Sequence, residues 1–224
     1  MDRLSFWIFE LSHPAFIPLP PTAPGQRIGL LGGSFNPAHD GHRHVSLEAM
    51  ARLELDRVWW LVSPGNPLKN HADLAAQDAR LAAATKIAHH PRIVVTGLES
   101  ALGTPFTAET LDFLTARRPQ VRFVWLMGAD NLASFHRWRE WRAIMQSVPV
   151  AVFDRPGWRY RAVASRAATA FAAARLPEAE SRQLAARCTP AWCFLSIPLS
   201  PLSSTALRAQ KTPEIPLRRP PDKG

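Results

Sequence analysis

Through residues 27 to 211, short apolar runs alternate with longer segments whose apolar residues recur at helical spacing. Ile28, Leu30 and Leu31 make a first run that stops at Gly32 and Gly33, and after Pro37 the residues Leu47, Met50, Ala51 and Leu53 fall on one helical face. Arg57 to Val62 (Arg-Val-Trp-Trp-Leu-Val) reads as a buried strand ended by Ser63, Pro64 and Gly65. Leu74 to His89 is rich in alanine and sets Leu74, Leu81, Ala84 and Ile87 on one buried face; Pro91 closes it before a strand at Ile93 to Thr96. Thr107 is placed to cap a further helix, with Thr110 one turn in. Val121 to Met127, Val148 to Phe153 and Trp192 to Ile197 read as the remaining strands, and residues 160 to 187 as alanine-rich helical segments interrupted at Pro177. Trp138 and Trp141 stand one helical turn apart and are expected to share a face. Strands alternating with helices, with glycine or polar turns at the strand C-terminal ends, predict an α/β fold: a doubly wound parallel sheet that binds ligands over its carboxyl edge.

At 224 residues and 24.9 kDa the chain has room for one such domain, placed at 27–211. Residues 1–26 carry an apolar stretch (Leu4, Phe6, Trp7, Ile8, Phe9) broken by Asp2, Glu10 and His13 and followed by five prolines from Pro14 to Pro24. That is neither a signal peptide nor a membrane span; it reads as a Pro-rich extension to which the sequence assigns no function, and its role and the true start site stay open. Residues 212–224 are proline-rich and charged and are expected to be disordered.

The net charge of +9 calls for an anionic partner: a nucleotide, a nucleic acid or a membrane surface. Basic residues are spread through the chain without a long run, which argues against nucleic acid even though eight tryptophans offer stacking faces. Cys188 and Cys193 are too few for a disulfide framework or a structural zinc site and fit a reducing cytoplasm. Self-association is left open.

The candidate chemistry begins where the first strand ends. Glycines at a strand-to-helix turn let backbone N–H groups approach a ligand, and the helix N-terminus adds unpaired N–H groups and a partial positive charge, so a phosphate is the natural guest. His39 and His42, three residues apart at the start of that helix, can both address the anion. Two histidines near a loop are in general surface residues or caps; here the glycine pair and Phe-Asn-Pro accompany them.

Gly-Gly-Ser-Phe-Asn-Pro-Ala-His-Asp-Gly-His, residues 32 to 42, resembles the Gly-x-Phe-x-Pro-x-His-x-Gly-His pattern of the nucleotidyltransferase superfamily, and the chain resembles its bacterial nicotinate-nucleotide adenylyltransferases most closely. Further matches run along the chain: Asn66-Pro67-Leu68-Lys69, Thr104-Pro-Phe-Thr-Ala-Glu-Thr-Leu, Gly128-Ala129-Asp130, Phe135-His-Arg-Trp138, Asp154-Arg-Pro-Gly157 and Ser203-Ser-Thr-Ala-Leu-Arg208. The resemblance implies a Rossmann-like nucleotidyltransferase fold and the attack of the nicotinate mononucleotide phosphate on the α-phosphate of ATP, a step of NAD synthesis. It further implies catalytic roles for His39, His42 and Arg208, and an ATP site of Gly32, Gly33, Ser34, Phe35, His39, His42, Gly128, Asp130, Ser204, Thr205 and Arg208. The mononucleotide falls to Lys69, Phe106, Thr107 and Trp138, with Trp138 on the pyridine ring, Trp141 left to the core, and main-chain groups near Thr107 on the nicotinate carboxylate; Phe106 stands where the family usually has Tyr. Mg²⁺ is expected to arrive with ATP, with no dedicated protein ligand set. Arg155 has no role in this scheme. The alternatives are adenylylation of nicotinamide mononucleotide or another phosphate, a nucleotide-binding regulator without turnover, and a basic nucleic-acid binder.

Overall fold

A computed structural model describes residues 17–65 and 74–198 together with Leu202, Ser204, Leu207 and Arg208. Seven strands form one wholly parallel sheet: β1 (Arg27–Gly33), β2 (Arg57–Val62), β3 (Ile93–Thr96), β4 (Arg122–Gly128), β5 (Val150–Phe153), β6 (Arg175–Leu176) and β7 (Trp192–Leu195). Their order is β3-β2-β1-β4-β5-β7-β6, so the chain winds outward from β1 to β3, returns to the other side of β1 at β4, and continues to the far edge. The doubly wound sheet predicted from the alternation is therefore present, and its topological switch point lies between the carboxyl ends of β1 and β4, where ligands of such sheets gather.

The strands are buried on both faces, and their side chains divide by strict alternation. Ile28, Leu30, Trp59, Leu61, Phe123, Trp125, Met127, Val150 and Val152 join one core. Leu31, Val58, Trp60, Val62, Val124, Leu126, Ala151 and Phe153 join the other. This is the expected pattern for parallel strands covered by helices on both sides. The first core is roofed by α3 (Leu98–Ala101), α4 (Thr107–Arg117), α5 (Ala129–Ser134), α6 (Trp141–Ser147), α7 (Arg159–Val163) and α8 (Arg166–Ala170). The second lies under α1 (Asp40–Arg52), α2 (Gln77–Ala88) and a 3₁₀ segment at Glu178–Ala186.

Several expectations need correction. The edge strand β6 is only two residues long, too short to show a period in an alanine-rich stretch, and residues 160 to 187 break into short helical pieces. The glycine pair lies inside β1 rather than in a turn after it. Ala51 is exposed, and α2 starts at Gln77, buries Arg80 with Ala84 and Ala88, and leaves Leu81 and Ile87 only half-buried. Trp138 and Trp141 do not share a helix: a 3₁₀ turn at Phe135–Arg137 ends at Trp138, whose backbone is extended, and α6 begins at Trp141. The N-terminal boundary also moves, because Ile17 is buried in the first core, Leu19 packs against it, and the Gln26 carbonyl accepts from Arg122 N–H at 2.9 Å. Residues 1–16 and 212–224 lie outside the described residues. Trp59, Trp60, Trp125, Trp141 and Trp192 are core residues, which removes most of the stacking faces that a nucleic-acid reading would need.

One polar tie crosses the second core. The Trp60 indole N–H donates to Ser46 Oγ at 2.8 Å, and that hydroxyl donates to the His42 carbonyl at 2.9 Å, pinning α1 to β2. Ser46→Ala leaves the indole N–H buried without an acceptor and is expected to lower the unfolding free energy by about 1–3 kcal/mol. Chemical denaturation measures this, and a variant as stable as the parent would show that the hydroxyl contributes nothing beyond its methylene.

Candidate active site

The site starts from a steric demand at the end of β1. A Cβ on Gly32 would come within 2.5 Å of Trp125 Cη2, so only glycine lets the β4 tryptophan cross this strand. The chain then turns through Phe35, a non-glycine residue in the left-handed region (φ 46°). Its ring is held in compensation: it is 1% exposed, stacks on Trp60 at 5.0 Å between centroids, and lies 4.7 Å from the His42 ring. Any contact from Phe35 to a nucleotide therefore comes through its backbone.

His39 is the N-cap residue of α1 and His42 is on its first turn. Their rings are 3.9 Å apart, and His42 Nδ1 accepts from the His39 N–H at 3.2 Å. His39 is buried, and neither ring nitrogen has a hydrogen-bond partner among the described residues. Burial lowers the His39 pKa to about 4; Arg155 adds to the shift and Asp40 opposes it. Burial lowers His42 to about 3, helped by His39 and Arg155 and opposed by the His39 backbone bond. At neutral pH the pair is uncharged in the free protein.

The C-terminal motif docks onto this turn. Ser204 Oγ donates to the Pro37 carbonyl at 2.9 Å, and the Arg208 guanidinium donates to the Asn36 carbonyl. Arg155 joins the same group from the β5 turn: its Nε lies 3.4 Å from Asp130 Oδ1 and its Nη1 donates to the Leu202 carbonyl at 3.3 Å. Asp130 is thus paired with Arg155, while the helix cap position falls to Gly128. Gly32, Gly33, His39, His42, Gly128, Asp130, Ser204 and Arg208 are gathered at the switch point by these contacts; Lys69 and Thr205 lie outside the described residues.

Beside the histidines a cavity of about 270 Å³ opens over the carboxyl edge. Trp125, Pro105, Phe106 and Trp138 supply its apolar walls, and Gly32, Gly33, Ser34, Ser63, Gly65, Glu99, Thr107, Asn131, Arg137 and Arg139 complete it. Trp138 is fixed edge-on to Trp125 (6.4 Å) and Phe135 (5.2 Å), and the Arg139 guanidinium sits 4.5 Å above the Phe106 ring. Thr107 is the first residue of α4 rather than its cap; the cap position falls to Phe106, whose N–H donates to the Thr104 hydroxyl, and that hydroxyl donates to Glu109. The expected substrate residues Phe106, Thr107 and Trp138 are together in one wall.

Three residues of the site escaped the sequence reading. Arg155 belongs to the Arg-Pro-Gly turn, whose sequence gives it no role. Arg80 is 3% exposed and donates to the carbonyls of Ser34, Ser63, Pro64 and Ala75; its signal was a charged residue sharing a helix face with Ala84 and Ala88. Glu99, 3% exposed on α3, had no signal in a four-residue helix.

A family model described as cytidylyltransferase-like matches residues 30–210. The chain is 59% identical over 184 residues to the probable nicotinate-nucleotide adenylyltransferase of Methylorubrum extorquens, covering 82% of this chain and 100% of the relative. It is 60% identical over 182 residues to the protein of that name from Cereibacter sphaeroides, covering 81% of this chain and 96% of the relative. Among solved structures, Plasmodium falciparum nicotinic acid mononucleotide adenylyltransferase complexed with NaAD superposes with a TM-score of 0.63 at 18% identity, over 84% of this chain and 85% of that one. The same enzyme complexed with APC gives 0.59 at 17% identity, over 82% and 83%. At that identity the two structures speak for the fold.

The histidine pair makes the free protein acid-sensitive in a defined window. Both folded-state values lie below the ordinary 6.5, so the unfolded chain binds more protons, and stability is lost as pH falls from 6.5 towards about 4 and 3. Melting temperature against pH is expected to fall over that range, less steeply in His42→Gln, and less steeply in the parent when tripolyphosphate is present. A slope unchanged by the substitution would assign the acid sensitivity to other groups.

Proposed function

We infer that this chain, which belongs to the cytidylyltransferase-like family and within it to the nicotinate-nucleotide adenylyltransferases, transfers the adenylyl group of ATP to nicotinate mononucleotide. A phosphate oxygen of the mononucleotide forms a bond to the α-phosphorus of ATP. The bond from that phosphorus to the bridging oxygen breaks, and pyrophosphate leaves with the electron pair, giving nicotinate adenine dinucleotide. The attacking group is already an anion, so no protein nucleophile is needed and catalysis rests on alignment and charge neutralisation.

The observation that best supports this assignment of roles is the docking of Ser204 and Arg208 on Asn36 and Pro37, which brings the C-terminal motif onto the glycine–histidine turn. His39 and His42 meet the phosphates; an anion beside them favours their protonated forms and so recruits positive charge where it develops. Arg208, Ser204 and Thr205 hold the triphosphate, with Lys69 on substrate or leaving-group phosphate. Asp130 takes the ribose side of ATP. The aromatic cavity receives the nicotinate ring, with Trp138 against its face and the first N–H groups of α4, at Thr107, towards its carboxylate. Mg²⁺ would come as the ATP complex, held largely by phosphates and water.

Pyrophosphate release from ATP with each mononucleotide tests the reading. The acid form is expected to be preferred, because the amide brings NH₂ donors towards N–H donors; discrimination of this kind reaches about 10⁴-fold to 10⁵-fold in kcat/KM. Equal kcat/KM for acid and amide would refute nicotinate specificity and leave adenylyl transfer standing. Trp138→Ala is expected to raise KM for either mononucleotide by about tenfold to a hundredfold, the worth of one stacking face, with KM for ATP unchanged. A loss confined to ATP would move Trp138 to the other substrate.

A further inference from the structure

Glu99 is a buried acid that the adenylyl-transfer scheme leaves without a task. It is the only carboxylic acid among the described residues lining the aromatic cavity, and only 3% of it is exposed. Its backbone carbonyl accepts from Thr104 N–H at 3.0 Å, but among the described residues its carboxyl group has neither a hydrogen-bond partner nor a basic side chain within 4.0 Å. Groups on neighbouring elements are committed elsewhere. Arg80 of α2 is spent on four carbonyls, Glu109 of α4 binds Thr104 and Arg139, and Arg139 also reaches Glu140. Arg137 lines the same cavity from the 3₁₀ turn at an exposed position and makes no ion pair with Glu99. Burial without a cation favours the neutral acid and raises the Glu99 pKa to about 7.

A carboxylate lining a cavity that receives another carboxylate would repel it, whereas a carboxylic acid donates its proton to it. We propose that Glu99, as the neutral acid, donates a hydrogen bond to the carboxylate of nicotinate mononucleotide and thereby adds to the preference for acid over amide. The proposal rests on the function inferred above and adds a residue to its specificity. The ionised Glu99 would instead accept from the NH₂ group of the amide, so the preference narrows as pH rises. Above pH 7 the acid substrate takes up one proton from solvent as it binds, and that proton resides on Glu99.

The ratio of kcat/KM for nicotinate to nicotinamide mononucleotide, followed from pH 6 to 9, isolates this contact. The two substrates share phosphate and ribose, so the titrations of His39, His42 and the phosphate cancel in the ratio. In the parent the ratio is expected to fall about tenfold per pH unit above 7. In Glu99→Gln, whose amide still donates, it should stay level with pH while a preference for the acid persists. Calorimetric titration of each mononucleotide at pH 8 in buffers of different ionisation enthalpy gives the second reading. The acid should take up close to one proton more than the amide in the parent and no more than the amide in the variant. A parent ratio independent of pH, or a variant that keeps the parent's slope or proton uptake, would overturn the role of Glu99 while turnover of nicotinate mononucleotide left the enzyme assignment intact. Turnover of neither mononucleotide would overturn the assignment and the proposal together. A merely structural Glu99 would lower both substrates' kcat/KM in the variant without touching the pH dependence of their ratio.

Discussion

The carboxyl edge of this sheet is held by one buried cation. Arg80 reaches from α2 beneath three separate stretches of chain and gives its guanidinium donors to the carbonyls of Ser34, Ser63, Pro64 and Ala75. No carboxylate faces it among these contacts; carbonyl dipoles alone offset its lost hydration, and burial lowers its pKa. The arrangement works because guanidinium presents several donors in a rigid plane, which a lysine ammonium cannot imitate. With Ser63 N–H donating to the Gly33 carbonyl at 3.0 Å, the ends of β1 and β2 are registered against each other before any ligand arrives. The turn bearing the histidines and one rim of the aromatic cavity both inherit their position from this clamp.

The fold was largely legible because fully buried parallel strands make short apolar runs with abrupt polar ends. β2 and β3 match their expected bounds, and the errors at β4, β5 and β7 are one or two residues. Where the sequence misled, tertiary contacts overrode local pattern. Trp138 has the spacing of a helical partner to Trp141, but both rings pack on Phe135 from different backbone conformations, and one ends in the cavity while the other ends in the core. Thr107 has the residue type of a cap, but the cap position belongs to Phe106. The site was legible mainly through the resemblance, which assigned residues to ligands without telling how they meet. Arg155 and Glu99 were silent, and Arg80 showed only its helix-face spacing, because their meaning depends on what surrounds them in space: four carbonyls for Arg80, an aspartate from the next turn for Arg155, and an apolar wall for Glu99.

The electrostatics divide in a way that composition conceals. A net charge of +9 suggests a surface that draws in anions over some distance. At the turn itself, however, the imidazoles are kept neutral by burial, and Arg155 beside them deepens the effect. Under the proposed chemistry the long-range field and the local charge are separate devices: the first delivers phosphate, and the second appears only when phosphate is present.

The hydrogen bond from Ser204 to Pro37 joins residues 167 positions apart, and that from Arg208 to Asn36 spans 172. The glycine–histidine turn is therefore made long before residues 204 and 208, on which its closing contacts depend. During synthesis on a ribosome, β1 must wait for β4 to gain its second neighbour, and the glycine–histidine turn must wait for the C-terminal motif. Because β7 joins β5 from nearly the same stretch of chain, completion of the sheet and closure of the turn draw on one late segment.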